Sequence, residues 1–203
     1  MLLPPIPHRY SNFLAGWLAL LLALTVALSG CVPLVVGGAA VGASAIYDRR
    51  PPQVVLEDQQ IELTAIHQLL QDPAIQGHSR IAVTSYNRTV LLTGQAESAE
   101  VVRQAVDHVS RLPKVQRVID ELTIGPKTDL VRQSEDIYIT SRAKLAMTAV
   151  DLPDFNATRI KVVTEDGVVY LLGLVNPAEA EAATEQVRYV PGVKRVVKLF
   201  EYQ

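Results

Sequence analysis

The sequence predicts an α+β protein made of two tandem copies of one αββαβ module, each with its helices laid on a small mixed sheet. Three observations carry this reading. The chain repeats itself: "RIAVTSYNRTVLLTG" (Arg80–Gly94) aligns without a gap with "RIKVVTEDGVVYLLG" (Arg159–Gly173), and "VSRLPKVQRV" (Val109–Val118) aligns with "VRYVPGVKRV" (Val187–Val196) once one residue between them is dropped. Matches that keep their order and spacing mark a duplicated unit. Within each copy, apolar alternation gives way to a turn and then resumes, which is the pattern of a hairpin. After each hairpin, apolar residues recur at helical spacing until a proline ends the run.

The elements follow in chain order. "FLAGWLALLLALTVALSG" contains no charged residue. His8 and Arg9 form a weakly basic n-region, Phe13–Leu28 an apolar h-region, and Ser29-Gly30 the small residues a peptidase accepts, the order of a secretory signal. A transmembrane helix is the rival reading, because the run is only slightly short of the ~20 residues that span a bilayer. The way the run ends separates the two. Leu28-Ser29-Gly30-Cys31 resembles the bacterial lipobox, which implies cleavage before Cys31, a diacylglyceryl group on its thiol and an N-acyl group on the new amino terminus. Residues 1–30 then form the signal peptide, and several acyl chains hold the rest to a membrane where one would bind only marginally. In Gram-negative lipoproteins an Asp after the acylated cysteine favours the inner membrane. Val32 stands there, and by that resemblance the destination is the periplasmic face of the outer membrane. Cys31 is the only cysteine, so no disulfide framework is expected and stability must come from packed cores.

Residues 31–56 read as an acylated terminus and tether, rich in Gly, Ala and Val and closing on Arg49-Arg50 and two prolines. The tract is short and glycine-broken, and the prolines stop any helix from running on through it. Residues 57–125 form the first module: a helix near Asp58–Leu70 with Asp58 as N-cap, a hairpin turning at Tyr86-Asn87-Arg88 and ending at Gly94, a helix over about Ala99–Arg111, and a last strand in "VQRVIDELTI". Residues 126–133 are a linker. Residues 134–203 repeat the plan, with a helix near Asp136–Val150 capped by Asp136, a turn at Glu165-Asp166-Gly167, a helix over about Ala178–Tyr189 with Pro177 in its first turn, and a strand in "VKRVVKLFEY". Pro113 and Pro191 end the later helices.

This order of elements, the glycines closing the second strands at Gly94 and Gly173, the P-x-V-x-x-V pattern at Pro113–Val118 and Pro191–Val196, and the hairpin "VVTEDGVVYLLGLV" resemble the BON domain. Two such domains behind a lipobox resemble the dual BON-domain outer-membrane lipoproteins of Gram-negative bacteria, over nearly the whole mature chain. The first copy departs from the pattern with Asn87-Arg88 in place of Asp-Gly, which bears on the geometry of that turn alone.

No constellation of an enzyme stands out. His67, His78 and His108 lack metal-ligand spacing, no Gly-x-Ser-x-Gly elbow is present, and no glycine-rich phosphate loop opens a helix. Gly94 and Gly173 read instead as backbone features at strand ends. No metal is expected, and no cofactor beyond the covalent diacylglyceryl and N-acyl groups on Cys31. Without residues 1–30 the chain carries 18 basic and 21 acidic side chains, a formal charge of −3, which offers no footprint for nucleic acid.

The two opening helices differ. Ile61, Ala65 and Leu69 align with Ile139, Ala143 and Met147 as core-facing stripes. The opposite face of the second helix carries Tyr138, Arg142, Leu145 and Ala149, with Lys144 beside them, where the first has Gln60, Thr64 and His67. An aromatic, aliphatic and basic stripe suits an anionic phospholipid membrane, with the ring at headgroup level and the cations at phosphate. It suits equally a seam between the modules, with the basic residues solvated. BON domains are associated with envelope maintenance and phospholipid interaction, and the resemblance therefore implies the lipid surface. The rival is a protein-interaction module recruiting an envelope assembly or division factor. Lys194-Arg195 and Arg159/Lys161 read as ordinary exposed strand faces.

Overall fold

The computed structural model describes residues 48–203; Cys31, the signal peptide and most of the tether read from the sequence lie outside them. Helix α1 (Pro52–Gln71) opens on Pro51-Pro52, where the missing N–H groups cost nothing because the first turn leaves them unpaired. Strands β1 (Ser79–Tyr86) and β2 (Thr89–Ala96) pair antiparallel. Helix α2 (Ala99–Ser110) starts at Ser98, whose hydroxyl accepts the Val101 N–H, and crosses over to β3 (Arg117–Ile124), which pairs parallel to β2. The second module repeats this with α3 (Leu130–Met147), a 3-10 turn (Ala157–Arg159), β4 (Ile160–Glu165), β5 (Val168–Val175), α4 (Pro177–Arg188) and β6 (Arg195–Tyr202). Its sheet order, β4-β5-β6, mirrors β1-β2-β3. At α4 the expected Pro177 sits in the first turn beside a capping box of Asn176 and Glu179. The αββαβ order and the mixed sheets are those the sequence predicts.

Two sequence expectations fail at the opening helices. Asp58 and Asp136 are not N-caps: α1 begins at Pro52 and α3 at Leu130, inside the stretches read as tether and linker. Asp129 caps α3 instead, accepting the Arg132 N–H at 2.8 Å. The two aspartates are buried within their helices and cap the hairpin turns. Asp58 accepts the backbone N–H groups of Asn87 and Arg88, each at 2.7 Å, and the Ser85 hydroxyl at 2.6 Å. Asp136 accepts those of Asp166 and Gly167, each at 2.8 Å. Both turns carry positive φ at both central residues, 50° and 64° at Asn87-Arg88 and 49° and 77° at Asp166-Gly167. The first hairpin thus makes the same primed turn without a glycine. An L-residue there costs about 1–2 kcal/mol, which charge-assisted hydrogen bonds of about 1.5–3 kcal/mol can offset.

Gly94 is required two residues before the end of β2. Its φ is +122°, and a Cβ would lie 1.9 Å from the Arg80 carbonyl oxygen on the paired strand.

Each sheet buries one face beneath its own helices. Ile61, Ala65 and Leu69 of α1 meet Val90 and Leu92 in the first core; Ile139, Ala143 and Met147 of α3 meet Val169 and Leu171 in the second. The other two sheet faces meet each other through Tyr86, Leu91, Tyr170 and Leu172, so the layers run helices, sheet, sheet, helices. Both modules belong to one unit.

Polar groups complete this seam. The Tyr86 hydroxyl donates to the Arg159 carbonyl at 3.3 Å and accepts the Leu174 N–H at 3.1 Å. Glu165 of the second module accepts from Gln95 at 2.7 Å and pairs with Arg80, both of the first. Burial, together with Glu121 as its hydrogen-bond partner at 3.2 Å, pushes the Tyr170 hydroxyl above the ordinary phenol range, so it stays protonated and donates across the seam. Two of the cations read as ordinary exposed faces take part as well: Lys161 reaches Glu62 of α1 at 2.7 Å and Arg195 reaches Glu121 at 3.4 Å. Arg159 lies in the 3-10 turn rather than in a strand, and pairs with Glu179 of its own module at 3.3 Å. Just before α1, Arg49 forks onto Glu179 at 2.6 and 2.9 Å, while Arg50 bonds Asp58 at 2.8 Å and lies over the Tyr86 ring at 3.9 Å.

Candidate functional site

Helix α3 is positioned by its buried face. Ile139, Ala143 and Met147 sit in the core at i, i+4 and i+8, and Asp136 is tied to the hairpin turn; these four contacts leave the opposite side in solvent. That side is apolar along most of its length. Leu130, Val131, Ile137, Tyr138 and Leu145 are between 59% and 79% exposed. A row of large apolar groups on a surface marks an interaction site where single ones would not.

Tyr138 and Leu145 therefore do not pack between the modules, because the seam is made by the sheet faces. Arg142 and Lys144 are exposed and make no hydrogen bond or ion pair among the described residues. At about 100° per residue they project on opposite flanks of Leu145. Ala149 is exposed but falls beyond the helix, which ends at Met147 rather than Val150, so it leaves the stripe.

Leu130, Val131 and Ile137 were absent from the sequence-predicted set. The signal for the first two is Asp129, a good N-cap residue directly before an apolar pair; Ile137 lies within the predicted helix already, eight residues before Leu145 and so on the same side.

The contrast between the opening helices is narrower than the sequence indicated. Gln60, Thr64 and His67 of α1 are exposed as expected, but so are Leu56, Leu63, Ile66 and Leu70. What α3 has and α1 lacks is an exposed aromatic ring with unpaired cations beside it.

Among the described residues no helix is long and apolar enough to cross a membrane, and no group of three or more His, Cys, Asp or Glu side chains could hold a metal ion. A face of this kind can lie on an interface, with its apolar groups at the acyl boundary and its cations at the phosphates.

The BON domain family is matched twice, over residues 57–126 and 138–203. The outer membrane lipoprotein DolP of Haemophilus influenzae is 36% identical over 185 residues, covering 91% of this chain and 95% of that protein. A 21 kDa hemolysin of Actinobacillus pleuropneumoniae is 33% identical over 155 residues, covering 76% of this chain and 79% of that one. Among solved structures, CdsD, a structural protein of the type III secretion system of Chlamydia trachomatis, aligns over 72% of this chain and 63% of its own at 12% identity, with a TM-score of 0.28.

Proposed function

Since the chain belongs to the BON-domain family, as a dual-BON outer-membrane lipoprotein with a role in the envelope, we propose that its second module binds anionic phospholipid through α3 and thereby helps to maintain envelope integrity. The observation that carries this reading is the exposed row of Tyr138, Leu145, Ile137, Leu130 and Val131 with unpaired Arg142 and Lys144 on its flanks. A tyrosine ring on such a row suits the headgroup level, and aliphatic side chains suit the acyl boundary.

Each basic residue near an anionic surface contributes on the order of 1 kcal/mol, so two alone bind weakly. Acylation of Cys31 supplies what is missing, because a tethered site meets the membrane at high effective concentration. Alkynyl-palmitate labelling of the protein, lost in Cys31→Ser, tests the acylation.

Vesicle co-sedimentation tests the lipid contact. At millimolar lipid, where weak contact is visible without the tether, a soluble chain beginning after Cys31 is expected to sediment with phosphatidylglycerol vesicles more than with phosphatidylcholine vesicles, and Tyr138→Ala with Arg142→Glu is expected to abolish the difference. Failure of the unsubstituted chain to bind would overturn the reading, and a single dominant protein adduct at Tyr138 in intact cells would favour a protein partner.

A further inference from the structure

The two modules carry the same groove in opposite states. In each, a groove runs between the opening helix and the loop entering the last strand. In the first module its volume is about 180 Å³, and Glu57 forms its floor. Three side chains close over that carboxylate: Gln53 at 3.0 Å, Arg88 at 2.7 Å and Lys114 at 3.0 Å.

The internal repeat places Val131, Gly167 and Gly192 at these three positions of the second module, and Glu135 in place of Glu57. All three polar closures are gone at once. The groove there measures about 840 Å³, within the ~300–1,000 Å³ of sites that enclose small ligands. Its apolar wall is formed by Val131, Tyr138, Ile139, Pro191 and Val193.

We propose that this groove takes one acyl chain of an anionic bilayer phospholipid whose headgroup lies along α3. The inference rests on the phospholipid reading above and adds a place for the chain. Two observations choose this occupant. The groove is continuous with the exposed apolar row, since Val131 and Tyr138 belong to both. Three carboxylates stand at its mouth, Asp136 taken up by the Asp166 and Gly167 N–H groups, Glu135 by Arg132 at 3.0 Å, and Asp166 by Arg132 at 3.3 Å and Lys194 at 3.2 Å; Arg142 on the same edge brings the cations to three as well. An anionic headgroup is therefore not repelled, and unpaired Arg142, one turn beyond Tyr138 on the same edge, is placed to meet its phosphate.

A chain entering the groove exchanges apolar lipid neighbours for apolar side chains, so it gains little hydrophobic free energy. What it adds is register, holding the module in one rotational setting on the bilayer.

The test uses the protein purified from membranes and reconstituted in phosphatidylethanolamine–phosphatidylglycerol vesicles. These contain a trace of phosphatidylglycerol bearing a photoreactive diazirine near the end of one acyl chain. Adducts are mapped by mass spectrometry. Adducts on Pro191–Lys194 as well as on Tyr138 are expected.

Gly192→Lys copies the closure of the first module, where Lys114 holds a φ of 70° against 91° at Gly192. By filling the groove it is expected to lower the loop adduct at least about tenfold, while the α3 adducts persist. If that variant fails to fold, the adduct map of the unsubstituted protein decides alone. Adducts confined to the outward row of α3 would overturn the groove and leave the phospholipid reading standing. Adducts on neither would overturn both. Labelling of the loop by a photoreactive free fatty acid but not by the phospholipid would overturn the bilayer lipid as occupant.

Discussion

The carboxylate of Asp136, in the second turn of α3, accepts the backbone N–H of Gly167 at 2.8 Å from 31 residues away, as Asp58 of α1 accepts that of Arg88 at 2.7 Å from 30 away. Each opening helix thus holds the hairpin turn of its own module by a buried charge. Asp136→Ala would leave two N–H groups, those of Asp166 and Gly167, without their acceptor. Buried unsatisfied donors cost about 1–3 kcal/mol each. The expected result is a loss of ~2–4 kcal/mol in urea unfolding, with Asp136→Asn intermediate because its one carbonyl can still accept. An unchanged midpoint would remove the aspartate from the list of residues that hold the turn.

A pH dependence follows from Glu57. Lys114, then Arg88, then Gln53 hold its carboxyl at about 2 against an ordinary value of 4.5. The folded value lies below the ordinary one, so the folded state favours the ionised form. The stabilisation is complete above pH 4.5 and is lost as the pH falls from there to about 2. In thermal melts across that window the unsubstituted protein is expected to lose stability more steeply than Glu57→Gln. Parallel curves for the two proteins would contradict the assignment.

Tyr86→Phe tests the seam between the modules. The hydroxyl is the partner of the Leu174 N–H across that seam, and the ring lies beneath Arg50. The substitution keeps the ring and its cation contact but strands the N–H, so a loss of ~1–3 kcal/mol is expected. The readout that separates this from general destabilisation is cooperativity. Hydrogen exchange is expected to rise first at β4 and β5, and the unfolding transition to broaden as the modules uncouple.

The duplicated αββαβ plan was legible because it rests on local periodicity: alternation at Ile81 and Val83, the Asp166-Gly167 turn, and Val102, Ala105, Val106 and Val109 at helical spacing. The helices start earlier than Asp58 and Asp136 predict, because an aspartate that caps its own helix and one that caps a distant turn look alike along the chain. The same reason hid the roles of Lys161 and Arg195. Alternation says that a strand residue faces outward, but not that a second sheet lies there. At the candidate site, Tyr138, Arg142, Lys144 and Leu145 were legible from their spacing. Ala149 falls outside the row because α3 ends at Met147, three residues before the end its spacing predicts. The groove was not legible, since it arises from the relation between α3 and a loop some 50 residues later.

Arg49 holds Glu179 of the second module and Arg50 holds Asp58 of the first, so the described residues open on a fork with one tine in each half. Any pull transmitted through the residues preceding Asp48 divides there between the two halves. A load arriving at Asp48 is borne first by these two ion pairs, one in each half, and α3 has no part in carrying it.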